Sequence, residues 1–412
     1  MNLPTNKTAA ATVIQQPVMR SKRLWIAVIL GSLSGIGPLS IDMYLPALPM
    51  LAEELGATTS VTQLSLTACL LGLALGQLFA GPISDVRGRR KPLLIGIIMY
   101  MIVSLLCVFS PNIWVFVGMR FLQGVAGAVG IVIARASVRD LYSGVELTKF
   151  FALLMLVNGA APILAPIFGA EVLEYTSWRG VFAVLSALGL LMLVMVAFGL
   201  KETLPPERRS KGGAGNMLLA YRRLISDSQF MGYALTQGFM MAAMFSYISG
   251  SSFVLQDLYG MSPRDFSLVF GLNGVGIIIA SQFAGRLAGR IEARVLLGSG
   301  LLMAMSGGCL LLLAALLQWS TPFIIAGFFL VVSSIGLIST TTTSLALQNQ
   351  GQSAGSASAL LGMLSFVFGG VAAPLVGLGG SNTALPLAMV MCSLIAASGL
   401  CFIVSRPRRQ TR

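Results

Sequence analysis

Apolar residues in this chain come in long blocks rather than in alternation, and short polar, mostly basic segments separate the blocks. A helix needs about 20 consecutive apolar residues to cross the hydrocarbon core of a bilayer. Blocks of that length predict spans at 24–48, 60–81, 93–110, 113–134, 150–170, 180–200, 229–254, 266–285, 295–317, 321–345, 354–378 and 383–404. A transmembrane barrel would instead show alternating segments of about 10 residues, and none is present. The longest polar interruption, 201–228, carries Pro-Pro, Gly-Gly and six basic residues and divides the spans six and six. The expected architecture is an all-α membrane protein with twelve transmembrane helices in two six-helix bundles. Its segments are a tail at 1–23, a bundle at 24–200, a central loop at 201–228, a bundle at 229–404 and a basic tail at 405–412. Within the central loop, Asn216 to Ile225 is expected to form a short basic amphipathic helix on the membrane surface.

Composition agrees with this pattern. The chain is 56% hydrophobic and 10% charged, with mean hydropathy +0.86, whereas a soluble domain is about 25% charged. The formal charge of +13 does not point to nucleic acid. With the N-terminus inside, 24 of the 27 Lys and Arg residues fall in inner segments, so the excess reads as membrane topology. Both termini are then cytoplasmic. Lys22 and Arg23 precede an apolar run too long for a secretory signal, so 24–48 is read as a retained span.

Candidate chemistry is sparse. The chain has no histidine, so any proton carrier must be a carboxylate. Its five cysteines all fall in spans without metal-ligand spacing, and neither a metal nor a cofactor is expected. No G-x-x-x-x-G-K-[ST] loop offers a nucleotide site. Nothing resembles a nucleophile with its base or a carboxylate pair in one span, so an enzyme is not expected. Within the spans lie one acid, Asp42, and one base, Arg120. An ion near the bilayer centre costs roughly 2.5–3.5 kcal/mol even on lenient scales, and such residues usually mark a transport path. Each lies six or seven residues from the outer end of its span, about 9–11 Å deep at 1.5 Å per residue, so the two can share a cavity. Burial and a neighbouring Arg120 act in opposite senses on the ionisation of Asp42. On the residues alone Asp42 is either a titrating proton carrier or half of a fixed ion pair. Arg120 is either its partner or a structural arginine held by backbone carbonyls.

Four stretches resemble a known family. Gly81-Pro-Ile-Ser-Asp85-Val-Arg-Gly88-Arg89-Arg90 resembles the loop signature of the major facilitator superfamily, and a weaker echo, Gly285-Arg-Leu-Ala-Gly-Arg290, occupies the corresponding place in the second half. Glycines 81 and 88 are expected to close two helices through a tight turn. By resemblance Asp85 and Arg89 latch neighbouring helix ends, and the helix start near Ser353 is a further expected partner for Asp85. Arg120-Phe-Leu-Gln123-Gly124 resembles the fourth-span motif tied to proton coupling. Ala161-Pro162-Ile-Leu-Ala165-Pro166-Ile-Phe-Gly169-Ala170 resembles the antiporter signature of proton-coupled drug exporters. It departs from that signature at Ala165 and Ala170, and a plain proline kink fits it too. Pro38-Leu-Ser-Ile-Asp42-Met-Tyr-Leu-Pro46-Ala-Leu-Pro49, with Arg139-Asp140 and Lys201-Glu202-Thr-Leu-Pro-Pro, is similar to the bicyclomycin/chloramphenicol-resistance (Bcr/CflA) subfamily of drug–proton antiporters.

The resemblance implies a bacterial inner-membrane exporter, working as a monomer, that exchanges small hydrophobic or amphipathic drugs for protons by alternating access. A proton-coupled exporter of a metabolite such as a cysteine-like amino acid fits the same residues. A passive channel fits the loop latch and the prolines less well. Promiscuous pockets are apolar with few polar groups, which nominates Tyr44, Asn158, Gln237, Met240, Met241, Phe245, Tyr247 and Phe366 for substrate contact; each serves equally as ordinary packing.

Overall fold

The computed structural model describes residues 20–405, apart from 143, 210–220, 349, 351–353 and 379–382. Ser353, residues 1–19 and 406–412 of the outer tails and residues 216–220 of the expected surface helix therefore lie outside the described residues. The described chain is helical: α1 Arg20–Asp42, α2 Leu48–Glu54, α3 Thr59–Arg87, α4 Arg90–Val108, α5 Ile113–Leu141, α6 Gly144–Tyr175 and α7 Trp178–Gly199 form the first half. A short α8 is described over 221–226. The second half is α9 Ser228–Phe253, α10 Pro263–Leu287, α11 Ala293–Leu316, α12 Thr321–Leu347, α13 Ala354–Gly377 and α14 Leu385–Val404. Eleven of these stretches are long and apolar enough to cross a membrane, α1 and α2 counting as one, and α6 adds a 32-residue helix with two internal prolines.

Several helices run past their apolar blocks. The second and fourth spans are 29-residue helices, about 44 Å long at 1.5 Å per residue. Their extra turns carry Asp85 and Arg87, and Arg135, Arg139 and Asp140. Hydropathy marks what lipid covers; the backbone ladder continues into the polar zone beyond it. Gly81 is one consequence. It sits inside α3, where an added Cβ would meet Val132 at an ordinary 3.8 Å, so it makes no turn. The turn belongs to Gly88 alone, at φ +89°.

The first span is not one helix. α1 stops at Asp42, a 3-10 turn follows over Leu45–Ala47, and α2 completes the crossing. Pro46 and Pro49 explain the break. Each lacks the N–H that would continue the ladder to Asp42 and Leu45, and each ring collides with that carbonyl. The expected span 24–48 is corrected accordingly.

The start of α1, the end of α14 and the described parts of the central connection lie at one end of the bundle, here the terminal end. At the opposite, far end the halves are joined. Gln63 Nε2 donates to the Ser249 carbonyl at 3.1 Å, Ser60 Oγ to the Pro374 carbonyl at 3.2 Å and Ser267 Oγ to the Pro166 carbonyl at 2.9 Å. Two further bonds answer prolines directly. Pro374 cannot donate to the Gly370 carbonyl, and Thr67 Oγ1 of the other half does so at 2.8 Å. Pro49 cannot donate to the Leu45 carbonyl, which accepts from the Leu48 N–H of its own turn and from Ser252 Oγ at 2.7 Å, while Gln256 Nε2 reaches the Pro46 carbonyl at 3.3 Å. Gln256 sits in a π turn, Val254–Leu258, that ends α9. The apolar core follows the same division. One cluster runs through both halves and includes Tyr44, Leu45, Phe116 and Phe253; a second, around Leu30, Ile97, Ile133 and Val196, belongs to the first half alone.

Thr67→Val keeps the side-chain shape and removes the donor. A hydrogen bond of this kind contributes about 1 kcal/mol net, so the far-end-open population should rise roughly fivefold. Spin-label distances across the far end of the purified protein check this.

Candidate functional site

The break in the first span organises the first-half interior. The last four carbonyls of a helix have no partner within it, and the break at Asp42 leaves such carbonyls inside the bundle. Arg120 of α5 answers one of them, donating to the Ser40 carbonyl at 2.8 Å. Its second terminal nitrogen donates to Gln123 Oε1. The guanidinium carbon lies 4.3 Å from the Tyr44 ring centre and 5.5 Å from that of Phe182. Arg120 has no solvent exposure. A cation at a helix C-terminus is favoured by the helix dipole, so Arg120 both caps α1 and neutralises its end. The network continues outward: Gln123 Nε2 donates to Ser104 Oγ at 2.7 Å, and the Ser40 and Tyr100 hydroxyls pair at 2.7 Å. Tyr44 completes it, its hydroxyl 3.2 Å from Ser65 Oγ.

Helices α3 and α5 supply the floor. They meet backbone to backbone, so that a Cβ at Gly72 would sit 2.2 Å from the Phe121 carbonyl and one at Gly124 2.2 Å from the Cys69 carbonyl. That approach brings Arg120 within reach of α1. Gly169 of α6 does the same from the other side, where a Cβ would sit 1.8 Å from the Met43 carbonyl. Pro162 and Pro166 lie within the continuous α6.

Asp42 ends α1 and is 4% exposed. Its Oδ1 has no hydrogen-bond partner. Among the described residues no ion pair joins it to Arg120, whose charge is directed at the carbonyl two residues earlier. In the second half, Tyr247 of α9 is buried. Asn273 of α10 donates to the Tyr247 hydroxyl at 2.7 Å, and the tyrosine ring packs on Phe270 and Phe328 at centroid distances of 5.4 and 5.1 Å.

The residues nominated for substrate contact divide into groups. Tyr44 is enclosed beneath Arg120, and the ring and hydroxyl partners named above are all in the first half. Phe245 and Phe366 meet at 6.1 Å, with Phe245 against Gly369. Gln237 Nε2 donates to Ser339 Oγ at 2.9 Å. Met240 is buried and Met241 half-buried on the same helix. The Asn158 side chain lies outside the described residues.

At the terminal end Arg89 is the hub of a second polar cluster. It donates to Asp85 Oδ1 at 2.5 Å, Asp140 Oδ2 at 2.9 Å and Ser84 Oγ at 2.7 Å. Burial opposes its charge, but hydrogen bonds to Asp140 and Asp85 outweigh that and raise its pKa. Glu202, from the segment after α7, accepts the backbone N–H of Arg89 at 2.8 Å and of Arg90 at 3.2 Å, and so caps the start of α4. Gly88 makes room: a Cβ there would lie 2.6 Å from Glu202 Oε2. Burial works against the Glu202 carboxylate, yet the N–H groups of Leu204, Arg89 and Arg90 and the Arg209 charge hold its pKa below the usual range.

Sequence reasoning missed Ser40, Tyr100 and Ser104 around Arg120, and Asn273 beside Tyr247. The available signal was polar residues inside apolar blocks, which is weak because serine and asparagine also serve ordinary helix packing.

Glu202→Gln should lower stability by about 1 kcal/mol, the size of a lost helix cap. Because the native pKa is depressed, that contribution is complete above the unfolded value of about 4.3 and is lost as pH falls through the lower native value. Thermal unfolding in detergent from neutral to strongly acidic pH should show parent and variant converging at the acid end.

Comparison with known proteins follows the same lines. The profile described as Major Facilitator Superfamily matches residues 30–374. The chain is 44% identical over 383 residues to the uncharacterized MFS-type transporter YdgK of Bacillus subtilis (strain 168), covering 92% of this chain and 95% of that one. It is 31% identical over 379 residues to the bicyclomycin resistance protein homolog of Haemophilus influenzae, with the same coverage, and 30% identical over 371 residues to the chloramphenicol resistance protein of Pseudomonas aeruginosa, covering 88% and 85%. Among solved structures, a bacterial homolog to the human lysosomal transporter Spinster, inward-facing and unoccupied, superposes with TM-score 0.76 at 16% identity, covering 94% and 98%. The xylose transporter XylE from E. coli, in a partially occluded inward-open conformation, does so with TM-score 0.71 at 13% identity, covering 92% and 97%. At those identities the likeness is one of fold. The chain belongs to the Major Facilitator Superfamily, a family of transporters and not of enzymes, and its relatives include proteins named for bicyclomycin and chloramphenicol resistance.

Proposed function

We propose that this protein exports small hydrophobic or amphipathic drugs across a bacterial inner membrane in exchange for protons. The terminal end faces the cytoplasm, where the basic segments lie, and the seam joining the halves closes the outer side. Alternating access then consists of opening that seam while the cytoplasmic side closes. The relatives named for resistance to bicyclomycin and chloramphenicol supply the substrate class.

One observation carries the reading: Asp42 is a buried carboxyl with an unpartnered oxygen, placed at a break in a spanning helix and next to the seam. Broken helices place polar groups at transporter sites. Asp42 carries the proton. Arg120 acts on it through the end of α1 rather than by a direct ion pair, because its cap on Ser40 fixes the backbone that presents Asp42. Asp85, Arg89, Gly81 and Gly88 lie at or beside the cytoplasmic latch, and Pro162 and Pro166 shape the helix that carries Gly169 against the break. The aromatic and methionine face of α9, with Phe366, receives the drug. The unit of transport is the monomer.

Asp42→Asn reconstituted into proteoliposomes with an imposed pH gradient tests this. Drug uptake into inside-out vesicles should fall at least tenfold, whereas undiminished pH-driven transport would overturn the assignment.

A further inference from the structure

The outer piece of the broken first span, α2, is held from two sides. The short turn Leu55–Thr58, with Gly56 at φ +59°, leads from α2 into α3, so chain continuity tethers only one end of it. Toward the second half, the 3-10 turn before α2 takes neutral donors, Ser252 on the Leu45 carbonyl and Gln256 on the Pro46 carbonyl. Toward the first half the contacts are of another kind. Trp178, the first residue of α7, donates its Nε1–H to Glu54 Oε2 at 2.6 Å. Arg179 pairs with the other carboxylate oxygen, and its guanidinium carbon lies 4.3 Å from the Trp178 ring centre. One turn along α7, Phe182 meets the Tyr44 ring at 5.7 Å. Phe116 of α5 stands edge-on to Trp178 and Phe182 at 5.4 and 5.2 Å. One helix therefore grips the interrupted segment at its start, Tyr44, and at its end, Glu54. A hydrogen bond to a carboxylate is roughly twice as strong as a neutral one. Trp178 has no solvent exposure, so parting it from Glu54 leaves a buried donor unpaired unless the aromatic packing opens as well. The Arg179 pair is partly exposed and adds little by itself.

We propose that Glu54 is a positioning residue that pins α2 to α7, so that the whole interrupted span, with Asp42 at its break, travels with the first half when the far end opens. This rests on the reading that transport opens the seam, and adds the side of it to which α2 belongs. The break after Asp42 is then no hinge. Its outer piece does not swing over the carboxyl on its own. Asp42 meets the outside when Ser252 and Gln256 withdraw with α9 from Leu45 and Pro46.

Spin-label distances in the full chain in nanodiscs test this, with labels on genetically encoded ketone side chains so that the native cysteines stay. The label sites Met50 in α2, Tyr175 at the end of α6 and Leu258 at the end of the π turn are all exposed. A Tyr175–Leu258 pair reports the seam, and a Met50–Tyr175 pair reports α2 against the first half. Thr67→Val should enlarge the long-distance component of the first pair and leave the second at one distance. In that background Glu54→Ala should raise a second, detached Met50–Tyr175 distance at least about tenfold in population, the factor for loss of a hydrogen bond to a charged group. It should also slow pH-driven drug transport. Glu54→Gln, whose amide oxygen still accepts the indole N–H, should restore the single distance and the transport rate. Trp178→Phe keeps a packed ring without the N–H and should detach α2 as Glu54→Ala does; it decides the matter if Glu54→Ala does not fold. A second Met50–Tyr175 distance that grows with seam opening while Glu54 is intact would assign α2 to the second half and overturn the proposal. A single Met50–Tyr175 distance in Glu54→Ala and Trp178→Phe would overturn it too. Both outcomes leave the transport reading standing. A Tyr175–Leu258 distance that never lengthens, at any pH, sinks the opening of the seam and this proposal with it.

Discussion

Backbone carbonyls inside a lipid-surrounded bundle have no water to turn to, and the far end of this protein is arranged around that constraint. Prolines at 46, 49 and 374 withhold donors from their own helices. Carbonyls at these interruptions take donors from elsewhere: Thr67 for Gly370, Ser252 for Leu45 in addition to the Leu48 N–H of its own turn, Gln256 for Pro46, and Arg120 for Ser40 at the end that the first-span break creates. Most of these donors belong to the opposite half. The halves therefore meet by satisfying each other's interrupted helices, with apolar packing around those bonds. Such a seam costs little to open toward water, because water can replace each hydroxyl.

The same break sets the electrostatics. Arg120 would be expensive as an isolated buried cation. It is tolerable because a helix C-terminus, a glutamine oxygen and two aromatic faces surround it, each presenting negative partial charge. Asp42 receives none of that relief. The two groups differ in surroundings: both terminal nitrogens of Arg120 have acceptors, with only Nε unpaired, while Asp42 keeps an unpartnered oxygen and is the proposed proton carrier.

How legible this was in the sequence depends on the length scale of each signal. Twelve spans and their division came through because twenty-residue apolar blocks average over local detail. Asp42 and Arg120 stood out because an ion in an apolar block is rare. The break after Asp42 was written in Pro46 and Pro49, two prolines whose effect on the ladder follows from their missing N–H groups, yet hydropathy ran smoothly across them. The direction of Arg120 was not legible. Depth alone put it beside Asp42, and only the close α3–α5 packing at Gly72 and Gly124 decides that it reaches Ser40. Gly81 shows the opposite error: a family motif suggested a turn where the helix continues. Asn273 was invisible because asparagine in a span is common and its meaning depends on Tyr247, a neighbour from another helix.

The order in which the ribosome delivers these parts now acquires a meaning. Asp85, Arg89, Asp140 and Glu202 all precede residue 210, so the first half can complete its terminal-end cluster while the second is still being made. The carbonyls of Leu45 and Pro46 are in a different position. Their side-chain donors from the second half, Ser252 and Gln256, lie 207 and 210 residues further on, so these bonds across the seam wait until that part of the chain has been made. The first half is self-sufficient at the terminal end, while at the far end it shares bonds with the second half.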